Sequence, residues 1–196
     1  MRYDYFAALR NAISSQLEGM YLSDIILVLA VTALLVLVPG YIRIQKHKDM
    51  TYKGLMLRYF LMAYMGIVLV ITIFRRGFGT KEGKIVTYIW LGSFTSSNYS
   101  ITQMMYCALN VLLFVPFGFL VRLNRRNEPG IKAFIMTFLS SFMFTFLIES
   151  FQFATRSGYF ELTDIVTNLA GGIIGAALGA IFVTGVRGKR ENVKKI

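Results

Sequence analysis

Polar and charged side chains stand at the ends of segments that are otherwise apolar, and these side chains are the ones that could do chemistry. The set comprises Arg75, Asn110, Glu149, Gln152, Arg156, Asp164 and Asn168. Ionisable groups in or beside hydrocarbon cost about 2.5 to 3.5 kcal/mol each on insertion scales, so they usually face the protein interior or water. We therefore expect these residues to form a ligand-binding site.

Two kinds of activity fit such a set. Glu149 and Asp164 could act as acid and base of a membrane-embedded hydrolase or transferase, with Arg75 or Arg156 binding a phosphate. Alternatively, the same groups could bind an amphipathic compound without turning it over, or pair with each other in a purely structural cluster. The sequence assigns no catalytic residue. A transporter is disfavoured because the polar residues stop at one half of the spans and no inverted repeat is visible.

The sequence offers little for metal, cofactor or nucleic-acid chemistry. The only histidine, His47, lies among basic residues far from this set, which excludes a His-based triad or metal centre there. No nucleic-acid-binding motif accompanies the net charge of +11, and no glycine-rich phosphate loop is present. We expect no metal, no cofactor and no nucleic-acid partner.

The elements that position these residues are predicted to cross a membrane. Of the 196 residues, 56% are hydrophobic and 16% are charged, against a charged share of about 25% in soluble domains. Five segments are long and apolar enough to span the hydrocarbon core, at 23–44, 55–74, 104–123, 131–153 and 163–186. The predicted fold is an all-α, multi-pass bundle in the cell membrane. Pro39-Gly40 should end or kink the first helix, and Pro116 should bend the third.

The distribution of positive charge predicts the orientation. Fourteen of the 21 Lys and Arg residues lie on the side that holds the C-terminus, and seven lie on the other side. Because cytoplasmic loops carry the excess of Lys and Arg, the N-terminus is predicted outside and the C-terminus in the cytoplasm. The residues of the predicted site would then share one depth at the outer leaflet.

Helical periodicity predicts which faces look inward. On the fourth span, one face carries Thr137, Ser141, Thr145, Glu149 and Gln152. On the fifth span, Asp164 and Asn168 continue into a stripe of small residues, Gly171 or Gly172, Gly175 and Gly179, which permits close helix packing within or between chains. The third span carries Asn110, Phe114, Phe117, Gly118 and Val121 on one face. We further expect Thr163 to cap the fifth helix, and Thr137, Ser141 and Thr145 to bond back to their own helix.

Two segments outside the spans allow alternatives. Residues 3–17 could form an amphipathic helix in the interface or a loosely ordered tail. The connection 75–103 contains an aromatic run, 85–91, that could anchor the loop at the headgroup level or cover a ligand, and the anchor is favoured. Arg76 is expected to meet headgroup phosphates.

Several motifs together resemble the VanZ-like family of small bacterial membrane proteins. They are residues 72–75, 110–120, 149–152, 156–165 and 168–175. The resemblance covers residues 58–186, which leaves an N-terminal segment 1–22, an additional first helix with a basic loop 23–57, and a basic tail 187–196. The chain departs from the family pattern at Thr163-Asp164, where relatives tend to carry two acids.

The resemblance implies a role in the cell envelope. The namesake of the family is associated with low-level resistance to teicoplanin, a lipoglycopeptide that acts on wall precursors outside the membrane. Together with the polar residues at the outer leaflet, the resemblance favours a non-enzymatic protein whose partner is a membrane lipid, a lipid-linked wall precursor or a lipoglycopeptide. Whether the protein is an enzyme, and its oligomeric state, stay open at this point.

Overall fold

A computed structural model describes residues 5–47, 50–92 and 98–193 of the chain, without the side chains of residues 47, 98–99 and 187–193. Predictions that involve residues 1–4, the loop residues 93–97 and the last three residues of the basic tail lie outside this part. The described chain is almost entirely helical, as an all-α bundle requires.

The described residues form seven α-helices. They are α1 (Tyr5–Leu17), α2 (Leu22–Thr32), α3 (Val38–His47), α4 (Tyr52–Leu69), α5 (Asn98–Asn124), α6 (Gly130–Ala154) and α7 (Leu162–Val193). Five helical stretches are long and apolar enough to cross a membrane, namely Leu22–Lys46, Tyr52–Phe74, Ser100–Asn124, Gly130–Ala154 and Leu162–Val186. The five spans expected from the sequence are therefore confirmed, while the orientation of the termini stays a prediction.

The sequence predicted that Pro39-Gly40 would end or kink the first span. The span does not end there. A π-helical turn, Ala33–Leu37, joins α2 to α3 just before the proline. Proline lacks an N–H and its ring crowds the preceding turn, and a π-helical turn is one way in which a helix continues past it. Gly40 lies directly against the side chain of Leu55, so the missing side chain lets α3 approach α4.

The core of the bundle is built by α5, α6 and α7, with α4 packed on α5. Phe114 and Phe117 of α5 contact Phe144 of α6, with ring centroids 5.7 and 4.9 Å apart. Pro116 lies inside α5 without ending it. The first span packs on α4 and takes no part in this core, as expected for a peripheral helix.

Glycines bring α5 and α7 into backbone contact within one chain. A side chain at Gly171 or Gly175 would overlap the carbonyl oxygens of Val111 and Val115, and one at Gly118 would overlap the carbonyl of Gly172. The glycine stripe predicted from the sequence therefore serves packing inside the molecule. We name this contact the glycine seam.

Two short strands, absent from the all-α prediction, tie the connection after α4 to the turn before α7. Strand β1 (Ile85–Val86) pairs in parallel with β2 (Phe160–Glu161). Flanking bonds extend the contact, because the Gly79 N–H donates to the Thr155 carbonyl at 3.0 Å and the Trp90 N–H donates to the Thr163 hydroxyl at 3.1 Å. Residues 77–92 thus form a strap across the α6–α7 turn.

The predicted cap of the last helix is wrong, and the strap provides the reason. Helix α7 begins at Leu162, one residue before Thr163, so Thr163 is not the capping residue. Its hydroxyl accepts from Trp90 and donates to the Tyr88 carbonyl at 3.4 Å. The residue holds the strap instead of the helix terminus.

Candidate functional site

A cavity of about 290 Å³ lies among the helices at the end of the bundle where α6 finishes and α7 starts, which we name the Glu149 end. Its wall combines polar and apolar groups. The polar wall consists of Gln16, Thr72, Arg76, Asn110, Glu149, Gln152, Asp164 and Asn168, and the apolar wall includes Ile13, Leu17, Ile71, Leu109, Leu112, Leu113 and Ile148. We name this space the inner cavity. Five of the seven residues singled out in the sequence line it.

The inward face of α6 is the one that helical periodicity predicts. Thr137, Ser141, Thr145, Glu149 and Gln152 are all buried. The Thr137 hydroxyl bonds back to the Ala133 carbonyl at 2.7 Å, as expected. Thr145 instead accepts a hydrogen bond from Asn168, and within the described residues the Ser141 hydroxyl has no partner.

Glu149 is held by the chain segment that the strap positions. Its side chain is 2% exposed, and its Oε2 accepts a hydrogen bond from the Glu161 N–H at 3.0 Å. Glu161 belongs to β2, whose partner is β1 in the strap. Pairing across 75 residues of chain therefore fixes the donor that orients Glu149.

Asp164 and Asn168 lie one helical turn apart on α7 and reach two different helices. The Asn110 amide on α5 donates to Asp164 Oδ1 at 2.9 Å. The Asn168 amide donates to Thr145 Oγ1 on α6, also at 2.9 Å, and Asn168 Oδ1 is buried with no partner among the described residues. Two separate hydrogen bonds thus link α7 to α5 and to α6.

Gln152 lines the inner cavity and also takes part in the turn that ends α6. Its amide donates to the Thr72 carbonyl at 2.9 Å, which links α6 to the end of α4. The backbone carbonyl of Gln152 accepts from the Ser157 N–H at 3.0 Å, and the Arg156 N–H donates to the Phe153 carbonyl at 3.2 Å. This pair of bonds is the Schellman motif that ends many helices.

Arg156, a predicted ligand residue, occupies the left-handed position of that motif with φ 53°. Its side chain is exposed and lies outside the wall of the inner cavity. The position is normally taken by glycine because a Cβ is disfavoured there. The structure therefore places Arg156 in helix termination and away from the other polar residues of the set.

Arg75 also lies outside the inner cavity, and it holds α1. Its guanidinium donates to the Ser15 carbonyl at 2.8 Å and to Gln16 Oε1 at 2.7 Å. Burial lowers the pKa of Arg75 from its ordinary value, and the neighbouring Arg76 adds to the effect. The Tyr106 hydroxyl on α5 bonds to the Ser15 hydroxyl at 3.1 Å, a second contact to the same turn of α1.

Helix α1 forms the cover of the inner cavity. Residues 5–17 are helical, and a location of this helix in the membrane interface stays a prediction. Ile13, Gln16 and Leu17 contribute to the cavity wall, and Ala12 is fully buried. The amphipathic helix thus presents one side to the bundle.

Arg76 and Glu161 are the residues that sequence reasoning missed. Arg76, expected at headgroup phosphates, lines both the inner cavity and a second, more polar space of about 540 Å³ that we name the vestibule. Gln16, Asn110 and Asp164 border both spaces as well. Burial raises the pKa of the Glu161 carboxyl, an effect that Arg76 and Lys84 partly offset.

A π-helical turn directly precedes the two neighbouring arginines, which have different partners. Val70–Phe74 continues α4 in π geometry, and the Arg75 N–H bonds to the Val70 carbonyl five residues back at 3.2 Å. The extra residue per turn changes the direction of the side chains that follow. The only signal in the sequence was two consecutive arginines at the end of a span, which does not show which one turns inward.

The arrangement suits a molecule with an apolar part and a polar head. Apolar side chains, mostly of α1 and α5, and the carboxylates and amides of α5, α6 and α7 line one space, and the vestibule beside it is more polar. Among the described residues, no three His, Cys, Asp or Glu side chains are grouped to hold a metal ion. Binding, with or without proton transfer by the two carboxylates, is the chemistry that these groups allow.

Comparisons with known proteins agree with the motif-based resemblance. The VanZ/LLP1 family model matches residues 59–183. Protein VanZ of Enterococcus faecium is 32% identical over 87 residues, which is 44% of this chain and 48% of that protein. The chain thus spans about half the length of this curated relative. No solved structure matches the chain.

Proposed function

Because this chain belongs to the VanZ/LLP1 family and carries five membrane-spanning helices, we propose that it acts at the outer leaflet in cell-envelope biology. In this role it binds an envelope lipid, a lipid-linked wall precursor or another amphipathic compound in the inner cavity. Bound precursor is less accessible to lipoglycopeptides such as teicoplanin, which lowers susceptibility to them. The curated relative contributes only its name, Protein VanZ, to this proposal.

The observation that carries the proposal is the mixed lining of the inner cavity. Glu149, Asp164 and Asn168 supply polar groups, and Leu109, Leu113 and other aliphatic side chains supply apolar surface. Ligand sites are usually concave and largely apolar with a few convergent polar groups. The charge asymmetry of the chain predicts that this end of the bundle lies outside, where wall precursors are displayed.

The test compares teicoplanin susceptibility of a susceptible host that expresses the chain with that of cells expressing variants. Glu149→Gln and Asp164→Asn keep the side-chain shape and remove a charge, so each is expected to abolish the decrease in susceptibility. Glu82→Gln removes a carboxylate from the exposed strap and should leave the phenotype intact. Membrane levels of all four proteins are measured by immunoblot. The proposal fails if the unaltered chain gives no decrease, or if both cavity variants retain it fully.

An enzyme acting on an envelope lipid or glycan is the alternative. Glu149 and Asp164 line one cavity and accept hydrogen bonds from different donors, a backbone N–H and an amide. Incubation of the purified protein with lipid-linked precursors, followed by mass spectrometry, separates the two activities. A product that forms with the unaltered chain and is lost in Glu149→Gln would identify an enzyme.

A further inference from the structure

Three amide side chains around the inner cavity each donate one hydrogen bond. Asn110 donates to the Asp164 carboxylate and Gln152 donates to the Thr72 backbone carbonyl, and because both partners are acceptors, the NH₂ group must be the group that faces them. Asn168 donates to Thr145. These bonds do not involve the amide oxygens. Asn168, which is 5% exposed, keeps its Oδ1 without a partner among the described residues.

The charges of the wall point to a cationic group. Two carboxylates, Glu149 and Asp164, line the inner cavity against a single guanidinium, that of Arg76. Arg76 also faces the carboxylate of Glu161, so its charge is shared among three acids. Like charges that share a buried space repel each other, and a buried charge is stable only when it is paired. A cation bound between the two carboxylates would satisfy both conditions.

The acceptors converge on one region. Asp164 and Asn168 are one turn apart on α7, and Thr145 and Glu149 are one turn apart on α6. The Asn168 to Thr145 bond and the bond from the Glu161 N–H to Glu149 hold these two turns against each other. Glu149, Asp164 and Asn168 Oδ1 therefore offer three acceptors from two adjacent helices. A primary ammonium has three N–H donors and no acceptor.

We infer that the inner cavity binds the primary ammonium of a zwitterionic amphiphile, held by Glu149, Asp164 and Asn168, while its phosphate meets Arg76 at the border with the vestibule. This inference rests on the proposed function and names the head group of its ligand. A guanidinium beside two carboxylates matches the alternating charges of such a head group. The ammonium could belong to a membrane aminophospholipid or to a lipid-linked precursor with a free amine.

The first experiment varies the ligand. The full chain, purified in detergent, is titrated by native mass spectrometry with dioleoylphosphatidylethanolamine, its N-monomethyl and N,N-dimethyl derivatives, and dioleoylphosphatidylcholine. These lipids share phosphate and chains and differ in the number of N–H donors. We expect binding to weaken along the series, with the ethanolamine lipid about tenfold tighter than the choline lipid. Equal binding of all four lipids excludes a membrane aminophospholipid as the source of the ammonium.

A second pair of ligands identifies the source of the ammonium. A polyprenyl-diphosphate-linked muropeptide is compared with the same molecule acetylated on its free amine. Preference for the free amine in this pair alone indicates a precursor, preference in the phospholipid series alone indicates a membrane lipid, and preference in both indicates recognition of the shared group. Preference in neither refutes the inference.

Variants connect the preference to the cavity. Glu149→Gln and Asp164→Asn are expected to remove the preference for the ethanolamine lipid over the choline lipid, whereas Glu82→Gln should retain the preference. Should a cavity variant fail to fold, the ligand series on the unaltered chain still decides. Leu109→Trp fills the apolar part of the cavity. Suppose that the unaltered chain binds all the lipids equally in both comparisons and that Leu109→Trp abolishes this binding: the proposed function is then supported and the ammonium inference is refuted. If Leu109→Trp does not weaken the binding of any lipid, both the proposed function and the inference fail.

Discussion

At the scale of single residues, the same type of side chain has different roles according to its backbone position. Arg75, Arg76 and Arg156 all follow the end of a span at the Glu149 end. One holds α1, one lines both spaces, and one occupies a left-handed turn with its side chain exposed. Type and proximity in sequence therefore do not assign a role to an arginine here. The role of each arginine depends on where the backbone places its side chain.

The left-handed conformation of Arg156 leads to a prediction for stability. Arg156→Gly should stabilise the protein by up to about 1 kcal/mol, because glycine adopts φ 53° without the cost of a Cβ. Thermal unfolding in detergent measures the change. Arg156→Ala is the matched control, since it removes the charge and keeps the Cβ, and it should show no gain. Loss of the teicoplanin phenotype in both variants would show instead that the guanidinium takes part in binding.

Periodicity predicted the residues of α6 and α7 that face inward because an apolar environment makes each polar side chain in a span informative. Glu149, Asp164 and Asn168 line one cavity, and Thr145 accepts a hydrogen bond from Asn168, as their spacing indicates. The contribution of Glu161 could not be predicted in this way. Its backbone N–H, not its carboxylate, contacts Glu149, and a backbone donor leaves no trace in the sequence.

At the scale of elements, the cavity depends on parts that do not span the membrane. The strap positions Glu161 through the pairing of β1 with β2, and α1 closes the space from the side of Ile13 and Leu17. Two strands of two residues each, separated by more than 70 positions, have no periodicity that a sequence pattern could reveal. The aromatic run 85–91 indicated only that the connection meets a surface.

Attachment of α1 to the bundle is expected to depend on Arg75. Arg75→Gln removes the charge-assisted bond to the Ser15 carbonyl and should raise the open fraction of α1 about tenfold. The measurement is the rate at which a maleimide labels Ala12→Cys, a fully buried position of α1, in a Cys107→Ala background. Arg10→Gln removes an exposed cation from α1 itself and should not alter the rate. Equal rates in all three proteins would mean that other contacts hold α1.

At the scale of the whole molecule, the chain consists of a compact group of helices and a peripheral addition. The family match, residues 59–183, begins inside α4 and includes α5, α6 and α7. Helix α1 and the first span lie before it, yet Ile13, Gln16 and Leu17 contribute to the inner cavity. The region before the match thus forms part of the cavity wall, whereas Glu149 and Asp164, the acids of the cavity, lie inside the match.

The orientation of the molecule in the membrane can be tested with two cysteines in a Cys107→Ala background. Glu82→Cys in the strap should react with a membrane-impermeant maleimide in intact cells. Lys132→Cys, at the opposite end of α6, should react only after permeabilisation. Both positions are exposed, so access of the reagent depends on the side of the membrane alone. The opposite result would place the Glu149 end in the cytoplasm and would remove the outer leaflet from the proposed function.

The glycine seam has a consequence for the range of molecules that the cavity can accept. At the contacts of Gly118 with Gly172, and of Gly171 and Gly175 with the carbonyls of α5, no flexible side chain lies between the two helices. Close-packed backbones leave no free volume, so they cannot move apart to fit a bulkier ligand. The wall of the cavity formed by α5 and α7 is therefore rigid, and it carries Asp164 and Asn168. Any adjustment of the cavity width is expected from α1, which lies outside the seam, so ligand tails of different shapes can be accommodated without moving Asp164.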